Sequence, residues 1–410
     1  MTNQLLHFAL DGNEANVKNR VGSNVYAFEV LKALQQLSKN HHQLSWTVLL
    51  SQPPQADFPP ATANWQYQVV KPSKFWTQWA LPLHLFKNIG HYDLFYTPGH
   101  YAPRFSPIPY VSTIMDLAFL EFPDQFTGMD AFQLKHWTAY SVKHAQQVIT
   151  ISEFSKQEIS KKYGLAANRI KVAYPSVALK NQYSKLRWKR FIKNNSLDPN
   201  NYFLYLGTIQ PRKNLINLIE AFEIFNHKLA ALKLKTAQAK TIEKTAPPQL
   251  VIAGKTGWLA DGVLKRVAQS PIKDQIILIG FVDDSLKKPL YEHAKASFLV
   301  GLYEGFGIPP LESFAVGTPA VVANNSSLPE AVGSAGFKVE ATDPGQIATT
   351  MLEVWQLPKL RQKVLKRRMA RHLSNFSWQK TAEKILATLF EVVALQKPTL
   401  KLQDPFNRHD

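Results

Sequence analysis

Short apolar runs alternate along this chain with stretches at helical spacing, and glycine or proline marks the joins. Strands are predicted at residues 5–10, 46–51, 92–96, 110–114, 148–151, 170–174, 202–206, 250–253, 276–278, 297–300 and 320–323. Between the first two lies a helix over 25–37, where Val25, Phe28, Val30, Leu31, Leu34 and Leu37 recur near helical spacing. Residues 52–64 are proline-rich and read as loop, and 228–248, rich in Lys, Ala and Thr, as a surface insertion. Residues 75–86 are strongly aromatic. They read as a core helix broken at Pro82, or as an amphipathic element resting on a membrane, and the core reading is favoured. Strands alternating with helices make this an α/β protein.

Residues 297–336 carry the densest pattern. An apolar strand runs into Gly305 and Gly307, which permit a tight turn because glycine has no Cβ. Pro309 and Pro310 suit a first helical turn, the helix runs to about Val316, and Gly317 with Pro319 ends it. A glycine loop at the C-terminal end of a strand is where open α/β sheets bind ligands, and the helix N-terminus there favours an anion. Glu304 precedes this helix and Glu312 lies about one turn inside it. Carboxylates accept hydroxyls in pairs, so both suit sugar or ribose diols. Spacing alone leaves open the plainer alternative, a helix N-terminal charge and a solvated loop glutamate.

A second such unit comes earlier. The strand 202–206 is followed by Gly207, Thr208, Ile209, Gln210, Pro211, Arg212, Lys213 and Asn214, then a helix from Leu215. A glycine turn, adjacent cations and a helix N-terminus are what a diphosphate needs; guanidinium supplies planar paired donors and ammonium a mobile point charge. Adjacent basic residues at a surface are the bland alternative.

The run EGFGIPPLESFAVGTPAVVANNSSLPE resembles the nucleotide-sugar site of glycosyltransferase family 4, retaining enzymes of the GT-B fold. The family's two glutamates match Glu304 and Glu312, and GTIQPRKN resembles its Gly-Thr–x–x–Pro-Arg-Lys-Asn motif. Further likeness lies in the turn ending Ser-Glu-Phe-Ser, in GKTGW and in the FSWQKTAEK of the last helix, so the resemblance covers nearly all of residues 1–395. It implies two facing Rossmann-like domains with an interdomain cleft: an acceptor-side domain at 1–195, a nucleotide-sugar-binding domain at 196–375, and a helix plus tail at 376–410 returning to the first. It implies that Arg212 and Lys213 bind the diphosphate, Glu304 the donor sugar and Glu312 the ribose. Gly207, Thr208, Gly305, Phe306, Gly307 and Ile308 would surround the donor, with the backbone of Gly280, Phe281 and Val282 at its base. For the family's glycine-rich phosphate loop the chain offers only Gly12 and Gly22, of which Gly22 is the close-approach point. Where the family has His-Asp-Leu, the chain has Met115, Asp116 and Leu117. A catalytic imidazole is therefore not carried over, and Asp116 remains as a catalytic candidate or as a strand-end turn residue.

Charge and composition change the picture in three ways. The chain has 410 residues with 45% hydrophobic content, enough for two domains. It has no cysteine, which excludes disulfides, a thiol nucleophile and zinc–thiolate sites. Its net charge of +18, shared by both halves, favours anionic partners. No basic n-region with an apolar core opens the sequence, and no apolar run is long enough to span a bilayer. The expectation is a cytoplasmic enzyme with a nucleotide-sugar donor and a glycan or lipid-linked acceptor, and two readings of its charge stay open: a peripheral enzyme at the inner face of the cytoplasmic membrane, with an anionic membrane surface as a partner, or a basic protein soluble in the cytoplasm. The basic-aromatic stretch 180–193 reads as a solvated inter-domain helix or as a phosphate or lipid-headgroup contact. Asp283 and Asp284 read as a helix cap in preference to a metal pair; no metal and no cofactor are expected. His100 is given no role. Two other readings stay open: a catalytically weak sugar-nucleotide-binding protein, suggested by Met115, and a nucleic-acid binder, which lacks any recognised basic-aromatic module.

Overall fold

The computed structural model describes residues 5–398, apart from 40, 42, 100, 127, 181 and 236–245. His100, the middle of the expected 228–248 insertion and the tail beyond 398 lie outside the described residues. The chain forms two units, Met1–Ser176 with Phe376–Asp410, and Val177–Asn375.

The first unit is built on a seven-stranded sheet. Its strands are β1 (Leu6–Asp11), β2 (Leu44–Leu50), β3 (Trp65–Val69), β4 (Leu94–Thr97), β5 (Tyr110–Thr113), β6 (Gln147–Thr150) and β7 (Ile170–Val172), in the order β3-β2-β1-β4-β5-β6-β7 with every pairing parallel. Central strands of a parallel sheet are covered on both faces, which is why β4 and β5 are buried throughout and β1 at all but one position. The helix Ser23–Ser38 follows β1 and packs against the C-terminal helix Trp378–Gln396. Trp378 meets Tyr26 edge-on at 5.8 Å, and Phe390 meets Phe8 at 6.0 Å.

The second unit carries a six-stranded sheet: β8 (Tyr202–Leu206), β9 (Gln249–Ala253), β10 (Ile276–Gly280), β11 (Ala296–Leu299), β12 (Ala320–Ala323) and β13 (Phe337–Val339), in the order β10-β9-β8-β11-β12-β13, again all parallel. Counted from its own first strand, the second sheet runs 3-2-1-4-5-6, the order of doubly wound dinucleotide-binding folds, and the first repeats that order with a seventh strand added at its far edge. Each therefore reverses direction beside its first strand, at β1/β4 and at β8/β11. Ligands collect outside the carboxyl ends of strands at such points.

Three local expectations are corrected. Edge strand β3 was not foreseen, because WQYQV is mostly polar and exposed and carries little of the apolar signal of a buried strand. Residues 75–86 are not broken at Pro82: a π-turn, Trp76–Ala80, runs directly into the helix Leu81–Lys87, and Pro82 sits in its first turn, where a missing N–H is tolerated. The basic helix Lys185–Asn194 packs within the second unit, through Trp188 stacked on Phe191 and His293. Its Arg187 meets Asp283 at 3.4 Å and Ser285 at 2.8 Å.

Candidate active site

The glycine turns after β8, β9 and β10 are stitched side by side, and this fixes the cation pair. Gly207 N donates to Ala253 O, Gly254 N to Gly280 O, Ile209 N to Lys255 O and Gly257 N to Ile209 O. The backbones cross so closely that a Cβ on Gly254, whose φ is +146°, would lie 1.8 Å from Gly207 O. Beyond this crossing the chain makes one tight turn, Pro211–Lys213, ended by Asn214 in the left-handed region at φ 58°. The buried Asn214 amide donates to Val300 O at 2.9 Å and Ala341 O at 2.6 Å, which anchors the start of the helix Leu215–Lys235.

The loop after β11 is fixed against that turn. Leu302 N donates to Arg212 O at 2.8 Å. Ser326 accepts from Glu304 N, Ser327 donates to Glu304 O, and Asn325 donates to Gly301 O. Gly307, at φ +99°, caps the helix Ile308–Ala315, and a Cβ there would press on Leu328 at 2.7 Å.

These two loops bring Glu304, Lys213 and Arg212 together at the β8/β11 switch point. Lys213 Nζ lies 2.5 Å from Glu304 Oε1, and Arg212 Nη1 lies 3.6 Å from Oε2. The Glu304 side chain is 9% exposed, that of Lys213 12% and that of Arg212 18%, so the cluster is screened from bulk water without being sealed. Arg212 also donates to Tyr303 O at 2.9 Å, and Gln210, with its amide oxygen turned to the guanidinium, accepts from Nε and Nη2 at 3.1 Å each. Two cations share one carboxylate, leaving a net positive charge beside a helix N-terminus.

Glu312 sits in a different setting. It is buried, and its Oε2 accepts from Tyr291 OH at 2.9 Å. Burial pushes its pKa up; the charge of Lys287 and the Tyr291 hydrogen bond hold it back only in part. Burial also works against the charge on Lys287, but Glu312 and Asp284 outweigh it and raise the Lys287 pKa. Burial, with the charge of Glu304 adding to it, pushes the Tyr205 hydroxyl well above its usual range, so it stays protonated and donates to Thr208 O at 2.9 Å.

The other expected residues are placed as follows. The Gly280 carbonyl is engaged by Gly254, the Val282 side chain belongs to the core, and Phe281 is half exposed with Lys255 Nζ 5.2 Å from its ring centre. Gly305 and Phe306 are buried in the loop, while Thr208 and Ile308 are partly exposed. Gly22 and Asp116 belong to the first unit. Gly22, at φ +52°, opens the helix Ser23–Ser38 with nothing near its missing Cβ. Asp116 Oδ1 accepts from Ala118 N at 2.9 Å, the contact of a turn residue, and Met115 is buried. Asp283 accepts from Ser285 N and caps the helix Asp284–Glu292. Among the described residues, no group of three or more His, Asp or Glu is placed to hold a metal ion.

Sequence reasoning passed over several supporting residues. Ser326, Ser327 and Asn214 lie inside the motifs but carry no role there, and nothing in the pattern singles out Tyr205 or Tyr291. It also passed over Asp11. This carboxylate ends β1, is buried, accepts from Asn13 N at 2.9 Å and Thr97 Oγ1 at 3.4 Å, and has its pKa pushed to about 7 by burial. Glu14 nearby accepts from Ser23 and Asn24. Only the position of Asp11 at the end of a central strand could have pointed to it.

Two family models match. The one described as Glycosyl transferases group 1 covers residues 187–369, and the one described as Glycosyltransferase Family 4 covers residues 21–181. The chain belongs to glycosyltransferase family 4. Among its relatives, this glycosyltransferase is 27% identical to O-antigen chain mannosyltransferase B of Escherichia coli over 70% of its own length and 71% of the relative's. It is 25% identical to the O-antigen chain mannosyltransferase RfbU of Salmonella typhimurium over 68% and 69%. Its fold is similar to that of Anabaena Alr3699/HepE, solved with UDP and glucose, at TM-score 0.68 and 17% identity over 95% of this chain and 100% of that one. Sucrose-phosphate synthase from Thermosynechococcus elongatus gives the same TM-score at 15% identity, over 95% and 100%. The fold is GT-B.

Proposed function

We propose that this glycosyltransferase moves a sugar from a nucleotide diphosphate donor to an acceptor hydroxyl of a glycan or lipid-linked glycan, with the anomeric configuration retained. Mannose is the first candidate sugar, on the strength of the two mannosyltransferase relatives. The observation that carries the reading is the Arg212–Glu304–Lys213 cluster beside the start of the helix Ile308–Ala315.

In this reading the donor diphosphate takes the cation pair. Arg212 offers a planar fork and Lys213 a point charge, and with the N–H groups at Gly305, Phe306, Gly307 and Ile308 they stabilise the negative charge that grows on the leaving oxygen. Glu304, relieved of part of its ion pairing, accepts from donor-sugar hydroxyls. Glu312 accepts from the ribose, and the Gly280–Val282 backbone borders the base. The bond from the anomeric carbon to phosphate oxygen breaks, the acceptor oxygen bonds that carbon on the same face, and the acceptor's proton passes to the departing diphosphate. No side chain is given the proton. Asp116 keeps its turn contact. No metal and no cofactor take part.

Charge stabilisation specific to the transition state appears in kcat rather than in KM alone. With the nucleotide sugar that the wild type turns over, Arg212→Ala and Lys213→Ala are each expected to lower kcat on the order of 10²-fold or more, with the thermal unfolding curve retained. Wild-type kcat in both variants would remove the pair from the mechanism.

A further inference from the structure

We infer that the exposed face of residues 75–89 is a docking surface for an anionic lipid bilayer. The inference rests on the first unit alone and goes beyond the transfer chemistry. The π-turn Trp76–Ala80 and the helix Leu81–Lys87 form one amphipathic element with two apolar sides. One side is spent on the fold: Trp76, Ala80, Leu81 and Leu85 are buried in the core, and the Trp76 indole donates to Val70 O at 3.1 Å. The other side faces outward with Phe75 62%, Trp79 72%, Leu83 55%, Phe86 49% and Ile89 63% exposed. Trp79, Leu83 and Phe86, spaced four and three positions apart, share one face of the element, and Phe75 and Ile89 stand at its two ends. Exposed apolar residues scattered singly are ordinary, but five large ones within fifteen positions, three of them on one face of a short element, are not.

The surroundings say what covers it. Lys71, Lys74 and Lys87 are all exposed and flank these residues, and Lys74 Nζ lies 5.5 Å from the Phe75 ring centre. Between Phe58 and Tyr92 the sequence holds no carboxylate. Asp93, just beyond, is already paired with Lys397 at 2.5 Å. A bilayer with anionic headgroups satisfies both parts: aromatic and aliphatic side chains enter the acyl boundary, while lysines reach back to the phosphates. The indole of Trp79, the most exposed of the five, suits the headgroup level.

The test uses the full chain and vesicles, with neither donor nor acceptor, so its failure leaves the transferase reading untouched. Vesicles of phosphatidylcholine with or without phosphatidylglycerol are sedimented with wild type, with the triple variant Trp79→Ser, Leu83→Ser, Phe86→Ser, with the triple variant Lys71→Gln, Lys74→Gln, Lys87→Gln, and with Leu360→Ser as an exposed apolar control elsewhere. Wild type is expected to bind phosphatidylglycerol vesicles at least about tenfold more tightly than neutral ones. Each triple variant should lose about tenfold or more, and the control none. As a readout that needs no loss of packing, lipids brominated in the acyl chain should quench wild-type fluorescence more than that of Trp79→Phe. Equal binding to both vesicles, wild-type binding by the serine triple variant, or equal quenching in wild type and Trp79→Phe would overturn the proposal. So would a wild-type dimer that ignores vesicles and dissociates on the serine substitutions, because a second copy would then be what covers the face.

Discussion

Asp11 is held as an acid where an aspartate is normally ionised. Water is excluded from it, and one backbone N–H with one distant hydroxyl does not replace the lost solvation, so its pKa rises from the usual 3.8 to about 7. A carboxyl with a raised folded-state pKa contributes stability that is fully present below about pH 4 and is lost as pH climbs through 7. Asp11→Asn keeps the shape and cannot ionise. It is therefore expected to match wild type in thermal unfolding near pH 4 and to exceed it at pH 8, by up to about 4 kcal/mol. A variant that is equally destabilised at both pH values would contradict the assignment and mark the hydrogen bonds, not the charge, as what matters. Glu312 is buried in the same sense, and burial raises its pKa too, against the charge of Lys287 and the Tyr291 hydrogen bond. Glu304 differs from both, because two cations meet it directly.

At the level of elements, the site depends on a backbone crossing more than on any helix. The turn carrying Arg212 and Lys213 is positioned by the contact between Gly207 and Gly254, where no side chain fits on either geometric or conformational grounds. Gly254→Ala is expected to destabilise the second unit by several kcal/mol, while Gly262→Ala, with open space around it, leaves the unfolding midpoint nearly unchanged. A soluble Gly254→Ala protein with the wild-type midpoint would show that the crossing is not what holds the turn. Such tight motifs are also what the sequence makes legible. Gly305, Gly307, Pro309 and Gly317 punctuate a β-loop-α-β unit visibly, and strand β12 falls at residues 320–323 as expected, with the helix ending one residue earlier than expected. The buried parallel strands announce themselves as apolar runs. What stayed hidden was whatever lacked a local signal: β3, whose pairing to β2 comes from the neighbouring strand and not from its own pattern; the π-turn ahead of Pro82; and Tyr291, whose role depends on the distant Glu312. The allegiance of the helix Lys185–Asn194 to the second unit was equally unreadable, since it rests on Trp188 packing against His293, which is far along the chain.

For the molecule as a whole, two sheets that share the order of their first six strands carry different kinds of chemistry at their switch points. The first unit gathers Asp11, Glu14, Ser23, Asn24 and Thr97, groups that mainly accept or exchange hydroxyl protons; the second gathers Arg212, Lys213 and a helix N-terminus, which suit an anion. The excess positive charge of +18 helps draw anionic donors and surfaces but cannot choose among them. Among the described residues no helix is long and apolar enough to cross a membrane. The central claim is transfer of a sugar from a nucleotide diphosphate with retention, and a donor screen tests it most directly. The purified chain is incubated with UDP-, GDP- and ADP-sugars and glycan acceptors, released nucleotide is measured, and the anomeric signal of the product is read by NMR. The account predicts release of nucleoside diphosphate from one base class and a product with the donor's anomeric configuration. No release from any donor by the folded protein, or a product of inverted configuration, would contradict it.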